Sequence, residues 1–293
     1  MDLEKIERVK TLAIIAMFSD DYLMERLVLK GGNAMDIVHK VAARASMDLD
    51  FSIVGEFSRE ELGSIEDRVQ RVLSETFREA GFKVFDVKFL ERPEMVTPDM
   101  ADFWGGYVIN FKIIEMEKHE QLAGDIDSLR RQAAVVGWNR KRTLTIQISK
   151  FEYCQPKQQA VLEGYSIFVY SPEMIVVEKL RTICQQMPQY RVFVKSPSRT
   201  ARARDFLDIY VLVEHYRIDV TTPANIDLLK RIFGAKRVPL ILLGEIEKYR
   251  EYHRPDFAAV RDTVKPGTMV QDFDFYFDYV VSMCGALKSL WEK

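Results

Sequence analysis

In LVLKGGNAMDIVHKVAARASMDLDFSI, residues 27–53, two adjacent glycines stand before a helix-like run, and two aspartates then follow, one residue apart, in an apolar run. In MDLDFSI the residues alternate: Asp48, Asp50 and Ser52 point one way, Leu49, Phe51 and Ile53 the other. The two carboxylates would share one strand face, about 6.6 Å apart along the strand. Paired carboxylates suit a hard divalent cation, and magnesium commonly takes one or two carboxylates together with substrate phosphates. A glycine turn at a helix start offers backbone N–H groups that a phosphate can approach with no side chain in the way. Each signal alone is ordinary, since strand acids are commonly solvated and most glycine pairs are turns. Side by side they describe a nucleotide–metal site.

Two further clusters could do chemistry. SPEMIVVEKLRTICQQM reads as a helix with Ser171 as N-cap, Pro172 in the first turn and a core stripe of Val176, Leu180, Ile183 and Met187. Lys179 borders that stripe. Such a lysine ordinarily extends its ammonium to water, and its functional alternative is a positive charge suited to a triphosphate. In RARDFLDIYVLVE, Asp205 and Asp208 stand at i and i+3 on one helix side. They read either as a helix-dipole acid and an Arg204–Asp208 pair, or as acids directed inward, because Leu212 continues their face.

The elements that must hold these residues follow from periodicity. Residues 3–17 read as an amphipathic helix, and RLVLKGG as a short buried strand or helix end. From Asn33, residues Ala34, Ile37, Val38 and Val41 recur at helical spacing. SREELGSIEDRVQRVLSETFREAG reads as a helix stopped at Gly81. FKVFDVKFL, GYVINFKII, RTLTIQIS and YSIFVYS read as four more strands, and helix signals dominate after Ser171. The expected architecture is an α/β domain over 1–170 with a mixed sheet and a helical domain over 171–293. The least regular connection carries Arg191, Lys195, Arg199, Arg202 and Arg204 with no acid before Asp205. Such a basic segment can hold a phosphate backbone without reading sequence, or be a solvated loop.

Composition sets the frame. The 293 residues are 47% hydrophobic and 29% charged with net charge −2, ordinary globular chemistry rather than a polybasic nucleic-acid coat. Cys154, Cys184 and Cys284 lack metal-knuckle spacing and read as free thiols of a reducing cytoplasm. No apolar run has the length of a membrane span, and the N-terminus does not read as a signal peptide.

Taken together, LKGGNAM with ARASMDLDFSI, YSPEMIVVEKLRTI and RARDFLDIYVL resemble the motifs of the AbiEii/AbiGii nucleotidyltransferase toxins, within the polymerase-β-like nucleotidyltransferase superfamily. The likeness covers residues 27–213 and includes Arg44 and Ser46 just before the acids; Ile209 replaces a leucine of the last motif. It implies a nucleotidyltransferase lobe and a helical lobe with the site between them. Asp48 and Asp50 would hold Mg2+, and Lys179 and Asp205 would complete the catalytic set. Asp205 could act as a base or orient Lys179. Lys30, Gly31, Gly32, Asn33, Ser46, Arg204 and Asp208 would bind nucleotide, and Arg199 and Arg202 the RNA. The resemblance also implies a type IV toxin–antitoxin or abortive-infection role, with a separately encoded antitoxin. A nucleoside triphosphate would be the donor, and an RNA, chiefly a tRNA 3′ end, or a protein the acceptor. The protein is expected to be a cytoplasmic monomer with no membrane partner. Two departures stand out. Asn33 replaces the usual serine or threonine, and Gln147 falls where related enzymes place a third acid. The second departure keeps a rival reading open, a nucleotide-binding interaction protein without catalysis.

Overall fold

The computed structural model describes residues 3–46, 48–122, 124–137, 140–194 and 200–292. The chain divides into two compact units: Met1–Asn33, Met47–Val96 and Gly105–Val169 form the first, and Ala34–Ser46, Thr97–Trp104 and Tyr170–Lys293 the second.

The first unit opens with helix α1 (Leu3–Phe18) and a short α2 (Asp21–Arg26), capped by the Asp20 carboxylate. Strand β1 (Leu27–Lys30), a single helical turn α3 (Gly31–Asn33) and β2 (Leu49–Ile53) follow. Then come α4 (Leu62–Glu79), β3 (Phe82–Arg92), β4 (Gly106–Glu115), α5 (Met116–Gln121), α6 (Ile126–Gln132) and strands β5 (Leu144–Ser149), β6 (Gln158–Leu162) and β7 (Tyr165–Val169). The seven strands form one mixed sheet in the order β3-β4-β5-β2-β1-β7-β6. β1 runs antiparallel to β2, while β2 and β5 are parallel, as are β1 and β7.

One sheet face is apolar because every second residue of the central strands is. Leu27, Leu29, Leu49, Phe51, Ile53, Ile146 and Ile148 are all buried. Helices α1 and α4 pack together and reach the sheet, with Phe18 against Phe51 at 5.9 Å between ring centroids. The last turns of α1, from Ala13 to Phe18, are buried all round, so only its first half keeps the amphipathic pattern. α4 does keep it, burying Ile65, Val69, Val72, Leu73 and Phe77, and its chain turns at Gly81 with φ +80°.

The second unit holds α7 (Pro172–Gln185), α8 (Ala203–Tyr216), α9 (Pro223–Ala235), α10 (Arg250–His253), α11 (Phe257–Arg261) and α12 (Phe273–Gly285), together with short 3-10 turns. Ser171 caps α7 by accepting from the Met174 N–H at 3.3 Å. α7 packs on α8 and α9, and α8 on α12, where Phe206 stacks on Phe277 at 5.0 Å. Residues 43–45 belong to this unit: the Ala45 N–H donates to the Thr263 carbonyl, and the Lys265 N–H to that of Ala43, each at 2.9 Å.

The four strands expected after Gly81 are β3, β4, β5 and β7, and the fold is α/β with a helical C-terminal region. Two expectations fail. The helix read from Asn33 to Val41 is only α3 followed by a π turn, Ala34–Val38, in which the His39 N–H reaches the Ala34 carbonyl at 2.9 Å. Lys40, with φ +55°, ends it, and burial falls on Asn33, Ala34 and Met35 rather than on a 3.6-residue stripe. Strand β6 was not foreseen. Its readable signal is Glu163-Gly164, a two-residue hairpin turn with φ +48° and +89°. Among the described residues no helix is long and apolar enough to cross a membrane.

Phe51 directly follows Asp50 on β2 and is fully buried. Phe51→Ala should destabilise the first unit by about 3–5 kcal/mol, measured by urea unfolding. A loss under about 1 kcal/mol would show that this face is not the core.

Candidate active site

In the first unit the strand registers set the acids. Asp50 pairs with Lys30 on β1 and with Gln147 on β5, so Lys30, Asp50 and Gln147 stand abreast on the polar sheet face. Asp50 is half-buried, Gln147 is exposed, and Asp48 lies exposed just before β2.

The glycine turn meets both acids. Gly31 has φ +70°, a conformation that glycine adopts without strain. A Cβ there would sit 3.0 Å from Asp50 Oδ2, so the carboxylate lies directly against the turn where a side chain would otherwise be. Asn33 is fully buried, and its Nδ2 donates to the main-chain carbonyl of Asp48. Gly32, between them, is half-buried. Lys30 is buried, with its ammonium 3.5 Å from Glu152 Oε1; the Glu152 side chain is 3% exposed. Glu152 was missed in the sequence because it follows β5 with no motif around it.

The residues suit a hard cation that completes its shell with water and phosphate: the Asp50 carboxylate lies against a turn built of glycine, and the exposed Asp48 stands two residues earlier, just before β2. Among the described residues no three His, Cys, Asp or Glu side chains are gathered as for a metal enclosed by protein alone.

In the second unit Lys179 does not extend to water. It is 6% exposed, in a helix that buries nearly every residue from Pro172 to Cys184. Its ammonium donates to Asp205 Oδ1 at 3.0 Å and to Asp208 Oδ2 at 2.7 Å. Asp208 also receives the Arg44 fork, Nε at 3.1 Å and a terminal nitrogen at 2.6 Å. Arg202 Nε lies 3.3 Å from Asp205 Oδ2. Both aspartates thus point inward, and three cations surround two buried carboxylates. Arg44, noted in the sequence only as motif context, anchors the cluster.

Burial alone would raise the Asp205 pKa, but Lys179, Arg202 and Arg204 outweigh it and hold the carboxyl well below its ordinary value of 3.8. For Asp208 burial is outweighed in the same way by Arg44 and Lys179, against some repulsion from Asp205. The start of α8 is occupied: the Arg202 N–H donates to His253 Nδ1 at 3.0 Å and the Ala203 N–H to Asp256 Oδ2 at 3.2 Å. Ser46 is buried and Arg204 half-buried. Arg199 lies outside the described residues.

A mixed sheet carrying a glycine turn against strand acids, with a helical region bearing an inward lysine, is the frame of a nucleotidyltransferase. The family model described as "Nucleotidyl transferase AbiEii toxin, Type IV TA system" matches residues 13–279, and the chain belongs to that family. No curated protein gives a match. Among solved structures, JHP933 from Helicobacter pylori is similar at 18% identity and a TM-score of 0.45, covering 99% of this chain and 91% of its own. An antigenic nucleotidyltransferase-like protein from Paracoccidioides brasiliensis is similar at 12% identity and a TM-score of 0.38, covering 88% and 94%.

Arg44→Ala should cost about 3 kcal/mol or more, because it leaves a buried carboxylate short of a partner. That lowers the thermal midpoint by roughly 6 °C or more, and Arg44→Lys should recover only part of it. A midpoint within about 1 °C of wild type would mean that the cluster does not hold the fold. The acid side gives a second check. Both aspartates have depressed folded pKa values, so their stabilisation is complete above 3.8 and is lost as pH falls through the folded values. Asp208→Asn should therefore flatten the loss of stability below that pH; an unchanged acid limb in chemical unfolding would contradict the assignment.

Proposed function

We propose that the chain is a magnesium-dependent nucleotidyltransferase that moves a nucleoside monophosphate from a triphosphate to an RNA 3′ end, with tRNA as the foremost acceptor. The observation that carries the reading is the Asp50 carboxylate seated against the Cβ-free surface of Gly31. It brings a metal-binding group and exposable backbone N–H groups to one turn, the pairing that a metal–triphosphate complex requires.

Asp48 and Asp50 would hold the ion. Bound there, magnesium neutralises the triphosphate and lowers the pKa of an attacking hydroxyl. We assign Gly32 to the phosphate oxygens, while Gly31 gives its side-chain space to the Asp50 carboxylate. We assign Lys179 to charge that develops on the phosphates during in-line displacement. Asp205 orients Lys179 in this reading. A carboxyl held far below the ordinary range is a poor proton acceptor near neutral pH, and its 3.0 Å bond to the ammonium suits the orienting role. Asp208, filled by Arg44 and Lys179, supports the same lysine rather than touching nucleotide. Toxicity then arises from a blocked RNA end, with a separately encoded antitoxin opposing the effect.

Gln147 bears on the number of acids. It is exposed and abreast of Asp50, so Gln147→Glu adds a third carboxylate to the same face without burying it. The variant should fold normally and reach half-maximal activity at lower magnesium; an unchanged or higher magnesium requirement would remove that position from the site.

Incubating the protein and magnesium with total RNA and each labelled nucleoside triphosphate in turn tests the reading. Label should enter an RNA fraction of tRNA size from one nucleotide in preference to the others. No incorporation into any RNA from any nucleotide would contradict it, and label on protein would move the acceptor. For the RNA contact Arg199 is a cleaner probe than Arg202, whose side chain is engaged with Asp205. Arg199→Ala should reduce the salt slope of RNA binding by about one phosphate.

A further inference from the structure

We infer that Asn33 is a positioning residue for Asp48 and does not contact phosphate. The inference rests on reading Asp48 and Asp50 as the metal-binding pair, and it gives the glycine turn a second task.

Asn33 ends α3, one residue beyond the glycine pair, where a side chain donating to a triphosphate would be expected. The residue has no exposed surface, and its Nδ2 is spent on the Asp48 main-chain carbonyl. The amide orientation follows from that contact, because placing Oδ1 there would set two acceptors against each other. Among the described residues Oδ1 itself is buried without a hydrogen-bond partner.

The geometry gives the bond a purpose. Asp48 lies outside the ladder: β2 begins at Leu49, and Asp48 is exposed. Asp50 is fixed by its strand register and by Gly31. The Asn33 amide fixes the Asp48 main chain from α3, which packs on β2. Each acid is thus met by the same turn, Asp50 by the Cβ-free face of Gly31 and Asp48, through its main-chain carbonyl, by the amide of Asn33. Preorganised ligands bind a cation more tightly than ligands that must first be ordered.

The test separates metal affinity from nucleotide affinity. Mn2+ titration of the nucleotide-free protein by calorimetry should show affinity lowered roughly three- to tenfold in Asn33→Ala, the size of one lost hydrogen bond. The KM for nucleotide at saturating magnesium should stay within about twofold of wild type. Asn33→Leu is measured beside it, because a side chain of similar shape fills the buried position if the alanine variant fails to fold. Leucine cannot donate to the Asp48 carbonyl, so the same loss of Mn2+ affinity is expected. Unchanged Mn2+ affinity in a folded variant overturns the inference, as does a raised nucleotide KM with Mn2+ binding intact, which would make Asn33 a phosphate contact. If the wild-type protein binds no Mn2+, the metal reading of Asp48 and Asp50 fails as well; if it binds and the variants match it, only the role of Asn33 fails.

Discussion

The pairing of β2 between β1 and β5 is the constraint from which the candidate site follows. It sets Asp50 abreast of Lys30 and Gln147. The same register sends Leu49, Phe51 and Ile53 into the core, where all three are buried. A slip of one residue would exchange the faces, placing Asp50 among apolar side chains and Phe51 in water. Core packing therefore specifies which face carries the acids, and the short β1 ends where Gly31 can meet Asp50. Fold and site share one set of backbone hydrogen bonds.

The second unit solves a different problem, pairing a lysine side chain in a dry environment. A buried ammonium is expensive unless it is paired. Two carboxylates supply the partners, and Arg44 and Arg202 in turn keep those carboxylates ionised. With three cations to two anions the cluster stays net positive, the sign that suits a phosphate-directed charge. Its members come from residue 44, from α7, and from α8 with the Arg202 that precedes it, so the cluster also ties distant parts of the chain into one unit.

Much of this was legible in the sequence where local chemistry is strong. The alternation in MDLDFSI gave the two faces of β2, Ser171-Pro172 gave the start of α7, and the i, i+3 spacing gave Asp205 and Asp208 a common side. What escaped depended on partners far away in the chain. Lys179 looked like a border lysine because a helical stripe says nothing about what packs on its flank; burial of that flank under α8 made it an interior charge. Asp208 could be paired with Arg204 from spacing, but Arg44, 164 residues away, is its bidentate partner. The helix expected from Asn33 failed because the chain there makes a π turn and ends at Lys40 with a positive φ, which local periodicity does not reveal. Glu152 carried no local signal at all, since its partner Lys30 is 122 residues distant. Arg199 lies outside the described residues, so its placement on RNA remains a reading of sequence.

In the proposed reaction the carboxylate held against Gly31 is a metal ligand. Asp50→Asn addresses it most directly, because the change keeps the side-chain shape and removes one charge. The variant should keep a thermal midpoint close to wild type, lose Mn2+ binding in calorimetry, and lose label transfer from nucleoside triphosphate even at high magnesium. A folded Asp50→Asn protein that transfers label at the wild-type rate under limiting magnesium would contradict it.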